Sequence, residues 1–319
     1  MGQQTSFSSV SEATLLKLAQ KSRLLPSSFL IDDLGSERRL VGGGGFGDVY
    51  QGNLTSGEHV ALKVLRIHVG GTVRDRIEKD FCREALIWRQ LKHPNILPFI
   101  GISQTAFPGQ LCMVAPWMNN GTILSYLESH PASDRKKLLT QAALGLAFLH
   151  NRSPTIIHGD VRGANVLIDN NGQACLSDFG SAILTDSLAT ITSTSVHVRG
   201  NIRWIPPEVL NPGNEDFDTV RKHPAVDVYS FAGLCYEIYT GKVPYYEQRA
   251  GGAVMMAVME GLRPKRPDVN LILDDLSDST WNCMEKCWSQ NPASRPTIQE
   301  VIMTLENAGP NVCSRWSCR

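Results

Sequence analysis

Neither sign of charge prevails in this sequence: 31 lysines and arginines face 31 aspartates and glutamates. No long block of one sign interrupts the balance, so nothing points to nucleic acid as a partner. Apolar runs of about 18 residues, the length needed to cross a bilayer, are missing as well. The start, MGQQTSFSSV, has neither a charged front nor an apolar centre, and no secretory signal is expected from it. Internal repeats are absent. Cysteine is not scarce, but the makings of a disulfide framework are. Cys82, Cys112, Cys175, Cys235, Cys283, Cys287, Cys313 and Cys318 are scattered, several within apolar runs such as QLCMVAPW and ACLSDF. That suits reduced, buried thiols in a cytoplasmic protein. Cys283 and Cys287 lie four apart on an expected helix face, but no second Cys/His pair completes a metal site.

What is there supports a folded core. The chain is 42% hydrophobic and 19% charged over 319 residues, which suits one large domain or two lobes. Residues 1–10 are polar and read as disordered. SEATLLKLAQKSRLL reads as a short amphipathic helix, with Ser11 as cap and Pro26 as stop. From Leu40 to about Leu65, glycines and β-branched residues predict strands, with TSGE as the turn between GDVYQGNL and HVALKVLRI. Residues 74–91 read as a helix, with Ile77, Phe81, Ala85 and Trp88 on one face, and LCMVAPW reads as a buried strand. After Thr122 the pattern turns helical, in ILSYLESH, DRKKLLTQAALGLAFLH, AVDVYSFAGLCYEIYTG, AVMMAVMEGL and STWNCMEKCW. A strand-rich part therefore precedes a larger helical part, and the split falls near Asn119-Asn120-Gly121.

Glycine is concentrated in VGGGGFGDVYQG, where five of the six residues from Gly42 to Gly47 are glycine. A Walker-type phosphate loop needs Gly-Lys-Ser/Thr before a helix, but Asp48 follows Gly47. Gly42, Gly44 and Gly47 satisfy the G-x-G-x-x-G dinucleotide fingerprint, which must open a helix. DVYQGNL alternates and has no helical face, so no βαβ unit of an NAD-linked oxidoreductase follows. Two readings stay open for the loop alone. One is a glycine-rich hairpin without a ligand. The other is a strand–turn–strand flap whose bare backbone approaches a triphosphate, with Phe46 at the tip and Val49 over a base. Lys63 in VALK lies inside an apolar strand and needs a partner or an anion. Glu84, on the expected helix, is a candidate partner, although an exposed helix glutamate is the commoner fate.

Later motifs decide between them. IIHGDVRGANVLI, LSDFGSA, GNIRWIPPEVL, DVYSFAGLCYEI and CWSQNPASRPT follow in one order. With the glycine loop and VALK, the chain resembles a eukaryotic-type protein kinase over about residues 35–308, in details most like the tyrosine-kinase-like branch. The resemblance implies an α+β, bilobal fold: a small β-rich N-lobe with one helix over about 35–118, and a larger, mainly helical C-lobe over about 119–308. Residues 1–34 would be an N-terminal extension and 309–319 a tail. It also implies transfer of the γ-phosphate of ATP, with Mg2+ or Mn2+, to serine and threonine hydroxyls of protein substrates.

By the same resemblance, Asp160 accepts or orients the proton of the attacking hydroxyl. Arg162 stands near the γ-phosphate where lysine is usual, a planar fork in place of a compact ammonium. Asn165 and Asp178 supply oxygen ligands to the metal. Lys63, held by Glu84, meets the α- and β-phosphates. Gly42, Gly43, Gly44, Gly45, Phe46 and Gly47 form the flap. Val41, Val49, Ala61 and Leu167 sandwich the adenine, which hydrogen-bonds to the Pro116 carbonyl and the Met118 N–H. Ala115 is the gatekeeper, a small side chain that leaves the pocket open behind the ring. Glu208 is expected to pair with Arg295, and Asp227 to accept from backbone amides of the catalytic loop. His158 is expected to pack there, and Trp204, Trp288 and the Met255-Met256 pair to be core.

Some positions depart from the family. Ala232 replaces a glycine and Pro206 an alanine. Asn201 stands where threonine is usual, which puts a hydroxyl contact with the catalytic loop in doubt. Lys63, Glu84, Asp160, Asn165 and Asp178 are all present, whereas the usual mark of the alternative, an ATP-binding pseudokinase or scaffold, is a lost lysine or aspartate. MGQQTS fits the myristoylation pattern at Gly2, and one acyl chain gives only weak membrane contact. Gly159 replaces the arginine that grips a phosphorylated activation loop, so such phosphates have one fewer cationic partner. Replacing Thr190, Thr192, Ser193, Thr194 and Ser195 together by alanine is therefore expected to leave most of the kinase activity. A large loss in a phosphate-incorporation assay would contradict this.

Overall fold

The structure, a computed structural model, describes residues 30–31, 33–44, 47–64, 72–103, 105–107, 110, 112–184, 202–268 and 276–307. The amphipathic stretch before Pro26, Gly2, Gly45, Phe46, the Ser/Thr positions from Thr190 to Ser195, Asn201, and the tail with Cys313 and Cys318 lie outside them.

The chain divides into two units. The first runs to Asn119 and regains Asp178–Ala182; the second holds Asn120–Ser177 and the chain from Ile183. In the first, β1 (Leu34–Gly44), β2 (Gly47–Leu54), β3 (His59–Val64), β4 (Gly101–Ser103) and β5 (Cys112–Pro116) form an antiparallel sheet in the order β1-β2-β3-β5-β4. Side chains alternate across it. Val60, Leu62, Val64, Cys112 and Val114 bury one face, with Leu34, Tyr50 and Leu54 packed against them. β1 begins at Leu34, six residues before the sequence pattern predicts. It is an edge strand, and the charged GSERR segment that hides it from an apolar reading is tolerated there. The long helix among the described residues of this unit, α1 (Thr72–Arg89), starts and ends two residues earlier than the expected 74–91. Its end tightens, with the Gln90 and Leu91 N–H groups bonding three residues back to Ile87 and Trp88.

The second unit is mainly helical. Its helices are α2 (Ile123–Ser129), α3 (Arg135–His150), α4 (Pro207–Leu210), α5 (Phe217–Arg221), α6 (Ala225–Thr240), α7 (Gly251–Met259), α8 (Asp278–Cys287) and α9 (Ile298–Asn307). Side-chain oxygens cap several: Thr122 accepts from the Ser125 N–H, Asp134 from Lys137 and Ser277 from Thr280. Two small antiparallel sheets lie with them among the described residues, β6 (Ile156–Ile157) with β9 (Ile183–Leu184) and β7 (Val166–Ile168) with β8 (Ala174–Leu176). The α+β division follows the expected order. Helix α6 is buried along its whole length, which suits its continuous apolar character. It ends at Gly241, whose φ of 67° gives the left-handed turn that closes helices.

The thiols of Cys82, Cys112, Cys175, Cys235, Cys283 and Cys287 are all buried and unbridged. Burial raises Cys112 to about 12 and Cys175 to about 11, which keeps both protonated and unreactive. Trp204 and Trp288 are core, as expected. Met255 and Met256 are not: Met256 is 64% exposed. Helix α7 buries Val254, Ala257 and Val258 on one face and turns the methionine pair outward. AVMMAVM is apolar all round, so its periodicity could not say which face would be covered.

The expected Glu208–Arg295 pair forms a bidentate contact, with nitrogen–oxygen distances of 2.7 and 2.8 Å. The Arg295 side chain has no exposed surface, and it also donates to the Ala225 and Ser289 carbonyls. Removing one partner strands a buried charge. Glu208→Ala is expected to cost about 3–5 kcal/mol in urea unfolding, and a loss below about 1 kcal/mol would show the pair to be dispensable.

Candidate active site

The sheet of the first unit has a second face, opposite its apolar cluster. Lys63 pairs with Val49 on one side and Met113 on the other, and Ala61 pairs with Gln51 and Ala115. Directly paired residues share a face, so Val49, Ala61, Lys63 and Ala115 line one surface. Gly44 pairs with Gly47, so the glycine run joins two antiparallel strands and opens no helix. That removes the dinucleotide reading. Val41 sits at an irregularity in the β1–β2 ladder and is 41% exposed. Pro116 ends β5, and Met118 follows it in irregular chain.

On this face the Lys63 Nζ donates to Glu84 Oε1 and to Asp178 Oδ1, each at 2.7 Å. Burial alone opposes the ammonium charge, but the Asp178 and Glu84 carboxylates outweigh it and hold Lys63 above its ordinary value. Burial pushes Glu84 up; Lys63 counters this, and the second carboxylate reinforces it. Two carboxylates around one ammonium leave the cluster one negative charge in excess. Asp178 is delivered by a short turn. Its φ of 63° is left-handed, and the next residue, Phe179, is buried with its ring 5.8 Å from that of Trp88 on α1. Non-glycine residues with left-handed backbones gather at functional sites. At Gly180 a Cβ would come within 3.1 Å of Glu84 Oε2, so glycine leaves that carboxylate its room.

In the second unit, the loop after β6 carries the other groups. Asp227, in the first turn of α6, accepts the His158 and Gly159 N–H groups at 2.8 Å each, and the His150 Nε2 at 2.8 Å. Burial would push its carboxyl up. The His150 hydrogen bond and the neighbouring imidazoles outweigh burial and hold it below the usual aspartate value. His158 Nε2 meets the Ser177 carbonyl, which can only accept, so Nε2 carries the proton and Nδ1 accepts the Asp160 N–H. Gly159 has φ 76°, a region any L side chain enters at a cost. Asn165 turns its amide nitrogen to the Asp160 carbonyl and carboxylate, both at 2.8 Å, which leaves its amide oxygen to offer a cation. Arg162 Nε stands 3.3 Å from Asp160 Oδ1. Leu167 lies on β7, paired with Cys175.

The family described as protein tyrosine and serine/threonine kinase matches residues 36–305. The chain belongs to that family. Among its relatives are kinases of three kingdoms of organism. Serine/threonine-protein kinase STY17 of Arabidopsis thaliana is 32% identical over 82% of this chain and 42% of its own length. Probable serine/threonine-protein kinase drkA of Dictyostelium discoideum is 30% identical over 84% of this chain and 38% of its own. Receptor-interacting serine/threonine-protein kinase 4 of Mus musculus is 31% identical over 84% and 33%. The chain thus spans roughly two fifths or less of these relatives. They carry serine/threonine kinase names, as the tyrosine-kinase-like resemblance implies.

Within this kinase chain, Lys63, Glu84 and Asp178 gather in the first unit and Asp160, Arg162 and Asn165 in the second. Gly42, Gly43, Gly44 and Gly47 lie on the paired strands of the glycine hairpin. Sequence reasoning missed Glu237 on α6. It is buried and bonded to the Asp160 loop. A signal was present: it and Asp227 are the acids in a helix that is otherwise apolar enough to be wholly buried.

Proposed function

We propose that the chain is an ATP- and Mg2+-dependent protein kinase that phosphorylates serine and threonine. The observation that carries this reading is the Lys63–Glu84–Asp178 cluster, in which a half-buried ammonium is held between two carboxylates. An ammonium so held cannot swing away, and it presents a fixed positive charge to the α- and β-phosphates. The kinase domain is taken as 35–308, flanked by the extension 1–34 and the tail 309–319; the family match over 36–305 supports those limits. Buried, protonated thiols suit a cytoplasmic protein.

The donor chemistry suits magnesium, with manganese as the alternative. Asp178 and the Asn165 amide oxygen are hard oxygen ligands, and the excess negative charge around Lys63 favours a cation. When bound, the ion would neutralise phosphate charge as the terminal phosphoryl group moves. The chain's own residues do the rest. Asp160, its carboxylate steadied by Asn165, orients the substrate hydroxyl and takes its proton. That oxygen bonds to the γ-phosphorus as the bond from phosphorus to the bridging oxygen breaks, and ADP leaves. Arg162, beside Asp160, adds positive charge near the group in transfer. Val41, Val49 and Ala61 would pack against the adenine, and Pro116 and Met118 would present backbone groups to it. Arg162, two after Asp160, and Ala164, four after, favour serine and threonine over tyrosine.

Purified protein given labelled ATP, Mg2+ and a generic protein substrate is expected to incorporate phosphate, and Asp160→Asn to lower the rate by about 100-fold or more. If wild type and variant were equally silent while both bound ATP, the chain would be a nucleotide-binding scaffold. Ala115 shares the Lys63 face and lies against the equally small Ala61. Purine inhibitors with bulky substituents are therefore expected to bind wild type well and Ala115→Met at least about tenfold more weakly, since a side chain cannot overlap the substituent. Equal inhibition would refute this placement of the adenine.

A further inference from the structure

Helix α6 contributes a second buried acid, bonded to a loop amide and to an indole. Glu237 is 4% exposed. Its Oε2 accepts the Gly163 backbone N–H at 2.9 Å and the Trp204 indole N–H at 3.0 Å. Gly163 lies between Arg162 and Asn165, in the turn that carries both. Trp204 is held just as closely. A Cβ on Gly233 of α6 would fall 2.6 Å from its ring, and Ser230 Oγ donates to its carbonyl at 2.7 Å. The Arg162 guanidinium lies 6.0 Å from the centre of the same indole, while its Nε stands beside Asp160.

We propose that Glu237 is a positioning residue for phosphoryl transfer, whose ionised carboxylate ties the Gly163 turn and the Trp204 indole together and so sets the attitude of Asp160 and Arg162. The inference rests on the kinase reading of the Asp160 loop. A carboxylate accepts two N–H donors on one oxygen far better than a neutral carboxyl does. Protonation therefore loosens the tie at both ends. A planar guanidinium, unlike the usual lysine, also has a use for the indole face, which attracts it.

The charge state of Glu237 is poised to change near neutrality. Burial pushes its carboxyl up to about 7, against the opposing pull of the Gly163 and Trp204 N–H groups and the Arg162 charge; the Asp160 carboxylate adds to the rise. Arg162 and Asp160 are the charged groups that face it from the loop, and Trp204 faces it from the neighbouring turn. The imidazoles of His150 and His158 sit at the other acid of α6, Asp227. The sign is plain: the tie is whole above the Glu237 titration and is lost as pH falls through it.

Two measurements test this on the full chain. Between pH 8 and pH 6, wild-type kcat is expected to fall about fivefold, as one group titrating near 7 loses its charge and the uncharged form keeps about a tenth of the rate. Glu237→Gln is expected to be about tenfold slower at pH 8, flat over the same interval, and within about twofold of wild type in KM for ATP. Independently of activity, the Trp204 indole N–H signal, assigned with Trp204→Phe, is expected to shift with a midpoint near 7 in wild type and to stay still in Glu237→Gln. A limb that persists in Glu237→Gln would assign it to the histidines or to Asp160 and overturn the proposal. A Trp204 signal indifferent to pH would do the same, even if Glu237→Gln failed to fold. Wild type without phosphate transfer at any pH would instead refute the kinase reading, and the indole titration would still decide whether Glu237 holds Trp204 by its charge.

Discussion

A carboxylate taken out of water must be met by donors, and in this chain that rule joins a buried helix to a functional loop. Helix α6 is covered along all its residues, yet it carries Asp227 in its first turn and Glu237 in its last. Neither can keep its charge without N–H groups aimed at it. Each acid takes one side-chain donor, His150 or Trp204, and main-chain amides besides: His158 and Gly159 for Asp227, Gly163 for Glu237. These amides bracket Asp160 and Arg162. The stretch that carries the reactive groups is thus sewn down on both sides by the rigid centre of its own unit. A loop held in this way presents Asp160 without spending binding energy to organise it.

The first unit meets the same rule with the roles reversed. There the charge at the centre is an ammonium, and side chains answer it. Lys63 comes from a strand, Glu84 from a helix and Asp178 from a turn, so the pair of ionic contacts records the agreement of three separate elements. The packing of Phe179 against Trp88 and the space left by Gly180 bring that turn to the helix. Burial raises the stakes of every such contact, because a missing partner leaves a charge that water cannot reach.

Much of this could be read in the letters. A lysine inside the apolar strand VALK foretold a partner, and Glu84 on the next helix is that partner. The acid in DVYSF foretold a bond to the loop, whereas the contact of Lys63 with Asp178 was not foretold. What escaped has physical reasons. The opening of β1 is charged because an edge strand tolerates water. The face of α7 was ambiguous because every residue of AVMMAVM is apolar. An acid in so apolar a helix marked Glu237 as needing donors, but not which ones, because a backbone amide and an indole 74 and 33 residues away in the chain supply them. Spacing arguments see neighbours along one element, and a hydrogen bond closed by tertiary packing has no spacing to see.

Asp178 carries two duties in one residue, and they are separable only by one kind of change. Its backbone occupies a left-handed basin that aspartate and asparagine enter with little penalty and branched or bulky residues do not. Its side chain supplies a charge. Asparagine at this position would subtract the charge and spare the bend, whereas valine would damage both together. The evolutionary corollary is a narrow corridor: a descendant of this chain that lost catalysis yet kept its shape would pass most easily through asparagine here.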